Sequence, residues 1–112
     1  MEKIAKYRQF IRQTLTEYAA PATGNPDAPQ EQLLFDEEHD HYQIMAVGWE
    51  GDQRVYFTIL HLDILNGKIR IQENNTDFDI AEKLESLGVP KTDIVLAFHA
   101  PSMRQFSGYA VT

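Results

Sequence analysis

Hydrophobic residues near the start of the chain recur at intervals of three and four positions. This stripe consists of Ile4, Tyr7, Ile11, Leu15 and Tyr18. The spacing matches the 3.6-residue turn of an α-helix and predicts an amphipathic helix over residues 2–18. Pro21 cannot continue a helix, and the segment 20–30, which contains three prolines and one glycine, predicts a loop.

The middle of the chain changes to a pattern rich in β-branched and aromatic residues, which is typical of strands. Four segments carry this pattern: 31–37, 41–50, 54–65 and 68–73. Asn66-Gly67, between the last two segments, is a strong signal for a two-residue hairpin turn of type I′. The four segments therefore predict an antiparallel meander.

The Asn-Gly turn also sets the register of its hairpin. If Leu65 lies opposite Lys68, alternate residues of the two strands point to the same side of the sheet. One side then carries only apolar residues and is the predicted core face: Leu60, Leu62, Ile64, Ile69 and Ile71.

The opposite face of this hairpin is polar. It places Asp63 directly across from Arg70, and His61 across from Gln72. An opposite-charge pair across two strands contributes about 0.2–1 kcal/mol. The preceding part of the strand adds three apolar residues to this face, Val55, Phe57 and Ile59. An apolar patch in that position needs cover, either from a helix of the same chain or from another protein.

The last third of the chain predicts a second helix over residues 76–87. Thr76 or Asp77 can cap its start, and Gly88 is suited to end it. The apolar run 94–98 indicates a fifth strand or an extended buried segment.

These elements together predict an α+β fold in one domain over residues 1–112. An N-terminal helix precedes an antiparallel meander sheet of four to five strands, and the second helix packs on the sheet. A helical turn at 101–106 and an extended tail complete the chain.

The charge of the chain is concentrated in one segment. Seventeen acidic residues against ten Lys and Arg give a net charge of −7. Residues 27–52 contain no Lys or Arg and eight acids, Asp27, Glu31, Asp36, Glu37, Glu38, Asp40, Glu50 and Asp52. A protein of this charge repels phosphate at long range, which disfavours a nucleic-acid binder. The segment indicates either a solvated face or a partner surface, which would meet a basic protein or mimic nucleic-acid phosphate.

Several classes of chemistry have no support in the sequence. The chain contains no cysteine, which excludes disulfides, thiol nucleophiles and cysteine-ligated zinc and fits a reducing cytoplasm. No apolar run approaches the ~20 residues that span a bilayer, and neither a phosphate-binding loop nor a dinucleotide fingerprint occurs. We therefore expect a cytoplasmic protein that has no membrane segment and no cofactor.

The histidines are the candidates for a site. His39 and His41 are two residues apart in an acidic stretch, and His61 and Asp63 share one face of a predicted strand. Two or three imidazoles and a carboxylate suit zinc or iron, but the spacing is loose, and Arg70 is the expected partner of Asp63. His99, at the end of an apolar run, fits either a functional residue or a buried histidine bonded to the backbone.

Trp49, the only tryptophan, lies at the end of a predicted strand. A single tryptophan usually fills the core, and an anchor at an interface is the other interpretation.

Eight segments of the chain resemble one protein family in order and spacing. They begin at Met1 (MEKIAKYRQ), Asp40 (DHYQ), Val47 (VGW), His61 (HLDI), Asn66 (NGKI), Asp79 (DIAEKL), Leu87 (LGVPKTDIVLAFH) and Phe106 (FSGYAV). The family is that of the cyanobacterial XisI-type fdxN-element excision controlling factors. The resemblance implies a small α+β protein that is usually encoded beside a XisH-type protein. It also implies a role in programmed excision of a DNA element during heterocyst differentiation, in which a separate recombinase cuts the DNA.

The resemblance transfers no catalytic, cofactor-binding or metal-binding residue. We therefore predict a non-enzymatic regulatory protein that binds a XisH-type partner and can self-associate. The candidate partner surface is Glu37, Glu38, Asp40, Trp49, Val55, Phe57 and Ile59.

Two other functions stay open at this point. One is a small-ligand-binding or metal-dependent enzyme that uses His61, Asp63 and His99. The other is weak direct DNA binding through the cations of the N-terminal helix, which are Lys3, Lys6, Arg8 and Arg12.

Overall fold

The computed structural model describes residues 2–112 and contains two α-helices and one five-stranded sheet. The helices are α1 (Glu2–Tyr18) and α2 (Ile80–Leu87). The strands are β1 (Gln30–Asp36), β2 (His41–Glu50), β3 (Gln53–Leu65), β4 (Lys68–Asn74) and β5 (Ile94–Leu96). Short 3₁₀ helices cover Lys91–Asp93 and Pro101–Phe106. The α+β prediction is confirmed.

The strands lie in the order β1-β2-β3-β4-β5, and the first four form the predicted antiparallel meander. Strand β5 pairs with β4 in parallel, which corrects the expectation of a purely antiparallel sheet. A parallel neighbour needs a crossover between the two strands, and α2 lies in that connection.

Both helices pack on the same face of the sheet. The apolar stripe of α1 contributes Tyr7, Ile11 and Leu15 to one buried cluster, which also contains Ile80 and Leu84 of α2. The sheet contributes the predicted core-face residues and alternate residues of β2: Tyr42, Ile44, Ala46, Leu60, Leu62, Ile64, Ile69 and Ile71. The helices therefore cover one side of the meander.

The turn between β3 and β4 has the predicted conformation. Asn66 and Gly67 both have positive φ, 53° and 77°, as a type I′ turn requires. The predicted register holds from Leu65 opposite Lys68 to Leu62 opposite Ile71. It then shifts, so that His61 lies opposite Glu73 and not opposite Gln72.

A bulge in β3 reverses one prediction about the sheet faces. Ile44 lies opposite Leu60 while Met45 lies opposite Thr58, so Ile59 is an extra residue. An extra residue inverts the alternation of side chains that precede it. The predicted placement of Val55, Phe57 and Ile59 on the polar face is therefore wrong.

The three residues instead belong to the helix-covered side. Ile59 is a member of the buried cluster, and Val55 packs against it. Phe57, opposite Ala46, remains 49% exposed at the margin of that face.

Helix α2 begins later than predicted. Asp79 is its N-cap, and the Asp79 side chain accepts a hydrogen bond from the Glu82 amide at 3.0 Å. The hydroxyl of Thr76 is engaged in the preceding turn, where it donates to Asn74. Gly88 ends the helix with a φ of 113°, as predicted. None of the described helices has both the length and the apolar composition needed to cross a lipid bilayer.

Candidate functional site

Most of the candidate functional residues lie on the side of the sheet opposite the helices. On β2 and β3 this open face consists of His41, Gln43, Met45, Val47, Trp49, Arg54, Tyr56, Thr58, His61 and Asp63. Most of these side chains are exposed or half-buried. The open face contains two distinct features, a polar cluster at one end and an aromatic patch at the other.

The polar cluster is formed by His41, His61 and Asp63, which we call the histidine–aspartate cluster. His41 and Asp63 lie directly opposite each other on β2 and β3, and His61 precedes Asp63 by two residues on the same face. Nδ1 of His41 and Nε2 of His61 each lie 2.8 Å from the same carboxylate oxygen, Oδ1 of Asp63. The other oxygen, Oδ2, accepts a hydrogen bond of 3.2 Å from the Gln72 amide.

Asp63 therefore has different partners from the one predicted. Arg70 lies opposite it in the backbone register, but among residues 2–112 no ion pair joins their side chains. The Asp63 side chain is only 15% exposed. The hydrogen bond with the Asp63 carboxylate, together with the negative charge of that group, raises the pKa of His41 above the ordinary pKa of histidine.

The structure separates the other two histidines from this cluster. His39 lies in the turn before β2, and its Nδ1 is 2.9 Å from Oδ2 of Asp36. His99 follows β5, two strands away from β3, and its ring packs on Phe98 with centroids 4.5 Å apart. The set of His61, Asp63 and His99 is therefore not brought together, and His41 takes the place of His99.

The acidic tip between β1 and β2 is paired with α1. Nε and Nη2 of Arg8 donate to the two carboxylate oxygens of Asp40, at 2.8 and 3.1 Å. Arg12 donates to Glu37, whereas Glu38 is exposed. Two of the three acids proposed for a partner surface are thus bound within the chain.

The same contacts bear on DNA binding through α1. Lys3 forms an ion pair with Asp93 at 2.9 Å, so three of the four predicted cations of the helix face carboxylates. Intramolecular neutralisation leaves fewer charges for phosphate contacts, on which non-specific DNA affinity depends.

The Arg8–Asp40 pair predicts a pH-dependent stability. The bidentate hydrogen bonds from Arg8 hold the pKa of Asp40 below its usual range. The pair therefore stabilises the fold above the unfolded-state pKa of about 3.9, and this contribution disappears as the pH falls through the lower folded-state pKa. Asp40→Asn should lower the free energy of unfolding by about 1–2 kcal/mol at neutral pH. Asparagine also tolerates the positive φ of 59° at this position.

Urea titrations of both proteins between neutral pH and about pH 2.5 measure this effect. The stability difference should shrink on acidification. Glu38→Gln, at an exposed position, is the matched control and should change little at any pH. A difference that stays constant down to the lowest pH would contradict the role given to the Asp40 carboxylate.

The aromatic patch lies at the other end of the open face, where β2 turns into β3. Trp49 is 46% exposed and Tyr56 is 64% exposed. The Arg54 guanidinium lies between them, 5.3 Å from the centroid of the Trp49 ring and 5.5 Å from that of Tyr56. Trp49 is therefore not core, which corrects the usual expectation for a single tryptophan. Strand alternation from Trp49 could have identified Arg54 and Tyr56, but only with the β2–β3 register known.

The sequence and structure comparisons agree on the family. A family model described as "XisI protein" matches residues 1–111. This chain belongs to the XisI family. Comparison with curated proteins gives no significant match. Two solved structures from Anabaena variabilis are similar over nearly their whole length, each with a TM-score of 0.89.

One of these structures is described as a XisI-like protein. It is 44% identical and covers 96% of this chain and 98% of its own. The other, 37% identical, is described as the fdxN element excision controlling factor XisI, and the match covers 98% of this chain and 99% of that protein. The XisI resemblance seen in the sequence is thus confirmed, and these relatives come from a cyanobacterium, as expected. The XisI fold extends across the region that carries both features of the open face.

Proposed function

We propose that this XisI family member is a non-enzymatic controlling factor that acts in the cytoplasm, as one domain, by binding a XisH-type protein. The similarity to a protein described as an excision controlling factor supports the regulatory part of the proposal. The observation that carries the partner-binding part is the exposure of Trp49 and Tyr56 around Arg54.

The composition of the aromatic patch is that of an interaction hot spot. Trp, Tyr and Arg are the residue types that most often dominate binding energy at protein interfaces. Rigid aromatic rings bury a large area at a small cost in conformational entropy. The Arg54 guanidinium lies over both rings, and this contact favours the observed arrangement of the patch before a partner arrives. A preordered patch of this kind favours tight association.

The surroundings of the patch indicate the charge of the partner. Glu50 ends β2 directly after Trp49, Asp52 lies in the turn that follows, and both are exposed. Unlike Glu37 and Asp40, neither has an ion-pair partner among residues 2–112. The proposed partner therefore presents an apolar pocket with a basic margin, since complementary charges speed association and fix the register. We therefore propose the aromatic patch, rather than the acidic tip, as the interface.

Co-purification of the protein with a XisH-type protein tests this function. We expect a complex at micromolar concentrations, and Trp49→Ala should weaken it on the order of 30-fold. Calorimetric titration of the two folded proteins measures the affinity. Phe106→Ala is the matched control, because Phe106 is an aromatic residue that is 74% exposed in the C-terminal segment.

Three results would each overturn a different part of the proposal. Failure of two folded proteins to associate would reject a XisH-type partner. An affinity unchanged by Trp49→Ala would reject the aromatic patch as the interface. If the protein instead forms a dimer that Trp49→Ala dissociates, the patch serves self-association and the assigned partner is wrong.

A further inference from the structure

We propose that the histidine–aspartate cluster is a binding site for a divalent transition-metal ion, with zinc as the expected ion. The three ligand groups would be the imidazoles of His41 and His61 and the carboxylate of Asp63. This inference is independent of partner binding, because the cluster lies at the opposite end of the open face from Trp49.

The chemistry of the three groups matches such an ion. Imidazole nitrogen and carboxylate oxygen are ligands of zinc and of neighbouring first-row metals, and two imidazoles favour these over calcium or magnesium. Two histidines and one carboxylate also form the three-ligand set of metal sites that keep a position free. Among residues 2–112 this is the one group of three such side chains with its ligand atoms close together.

The distances fit a shared ion after small side-chain movements. The three ligand atoms all lie within 4.8 Å of one another, and both nitrogens are 2.8 Å from Asp63 Oδ1. Bonds of about 2.1 Å in a tetrahedral arrangement separate ligand atoms by about 3.4 Å. Both nitrogen–oxygen separations are shorter than that value, so metal binding requires these groups to move apart by about 0.6 Å, and rotation of the exposed His41 ring can provide part of this movement.

The backbone and a fourth side chain position the ligands. His41 and Asp63 are directly paired on adjacent strands, and His61 is on the same face of β3, so all three arise from a hydrogen-bonded sheet rather than from a loop. Gln72 of β4 donates to the second Asp63 oxygen. A partner of this kind orients a metal-binding carboxylate and leaves its other oxygen available.

The surface around the cluster leaves room for a further ligand. The cluster lines a shallow groove together with Leu34, Asp36 and Gln43. The groove opens to solvent, and the His41 side chain is 54% exposed. Water can therefore complete the coordination of the ion from the open side of the sheet.

Titration of untagged, chelator-treated protein with Zn²⁺ tests the site by calorimetry. We expect saturable binding of one ion per chain. His61→Gln and Asp63→Asn should each weaken the affinity on the order of 100-fold, and Gln72→Leu about tenfold. His39→Gln and His99→Gln are matched controls and should bind like the parent protein, because neither side chain belongs to the cluster.

Cobalt provides a second, spectroscopic readout whose main result comes from the parent protein. Co²⁺ in the parent protein should give visible absorption bands of a low-coordinate nitrogen–oxygen site, and the exposed substitution His41→Gln should abolish them. The proposal is overturned if the parent protein shows no saturable binding up to roughly 1 mM metal. Parent-like affinity in the His41→Gln/His61→Gln double variant would also overturn it, since the ion then binds elsewhere.

Discussion

Replacing Gly48 with alanine should lower the free energy of unfolding by about 2–4 kcal/mol. Gly48 is buried in β2, next to Trp49, and faces the loop that connects α1 to β1. A Cβ atom at Gly48 would lie 2.6 Å from the carbonyl oxygen of Ala28 and 2.7 Å from the Cα of Pro29. These are backbone atoms, so no side-chain rotation can relieve the contact.

The backbone conformation adds to this cost. Gly48 has a φ of 155°, a value that residues with a side chain rarely adopt. The loop is held close to β2 because the Trp49 amide donates to the Asp27 carbonyl at 2.8 Å. A substitution at Gly48 therefore has to displace the loop or the strand, and either movement disturbs the backbone that positions Trp49.

Urea denaturation of Gly48→Ala against the parent protein measures the loss. Gly24→Ala is the matched control in the same loop, because nothing lies within 4 Å of its Cβ position and its φ is not in the left-handed region. The control should change stability by no more than about 0.5 kcal/mol. An equally small change for Gly48→Ala would show that the loop does not press on this strand.

Local signals in the sequence account for the parts of the fold that were predicted correctly. The stripe of α1 and the Asn66-Gly67 turn each depend on residues close together in the chain. The bulge at Ile59 has no such signal, since it arises from the pairing of β3 with β2. It moved Phe57 and Val55 to the other face of the sheet.

The candidate site, like the fold, was predictable from the sequence only where it depends on residues close together in the chain. Strand alternation put His61 and Asp63 on one face, but only the β2–β3 register brings His41 to them. Glu37 and Asp40 form ion pairs with arginines of α1, and these pairs depend on how the helix packs against a turn that is distant in the chain. Contacts between residues far apart in the chain thus decided which acids remain free and which histidine joins Asp63.

Arg104 is the second position at which we expect a large effect. It is only 8% exposed and lies in the C-terminal segment that follows β5. Its guanidinium donates to three backbone carbonyls, those of His99 at 3.1 Å, Ala97 at 3.2 Å and Val111 at 3.4 Å. These bonds tie both ends of the segment together, and the segment is attached to the sheet where the Ala110 amide donates to the Ile94 carbonyl.

Arg104→Met should lower the free energy of unfolding by about 2–4 kcal/mol, because it leaves several partly buried carbonyls without a donor. Methionine keeps most of the aliphatic volume, so the loss reports on hydrogen bonding more than on packing. Arg70→Met is the matched control, since Arg70 is half-buried on β4 and has no ion pair among residues 2–112. The control should stay within about 0.5 kcal/mol of the parent protein.

Hydrogen exchange followed by mass spectrometry locates the effect of Arg104→Met. If Arg104 holds the segment as a unit, the Ala110 amide loses protection while amides in the middle of α1, around Ile11, keep theirs at low denaturant. If the Ala110 amide and the amides around Ile11 lose protection in parallel, the segment unfolds only with the rest of the molecule. If Arg104→Met is as stable and as protected from exchange as Arg70→Met, the role given to Arg104 is wrong. Its hydrogen bonds to three carbonyls would then make no measurable contribution to the free energy of unfolding.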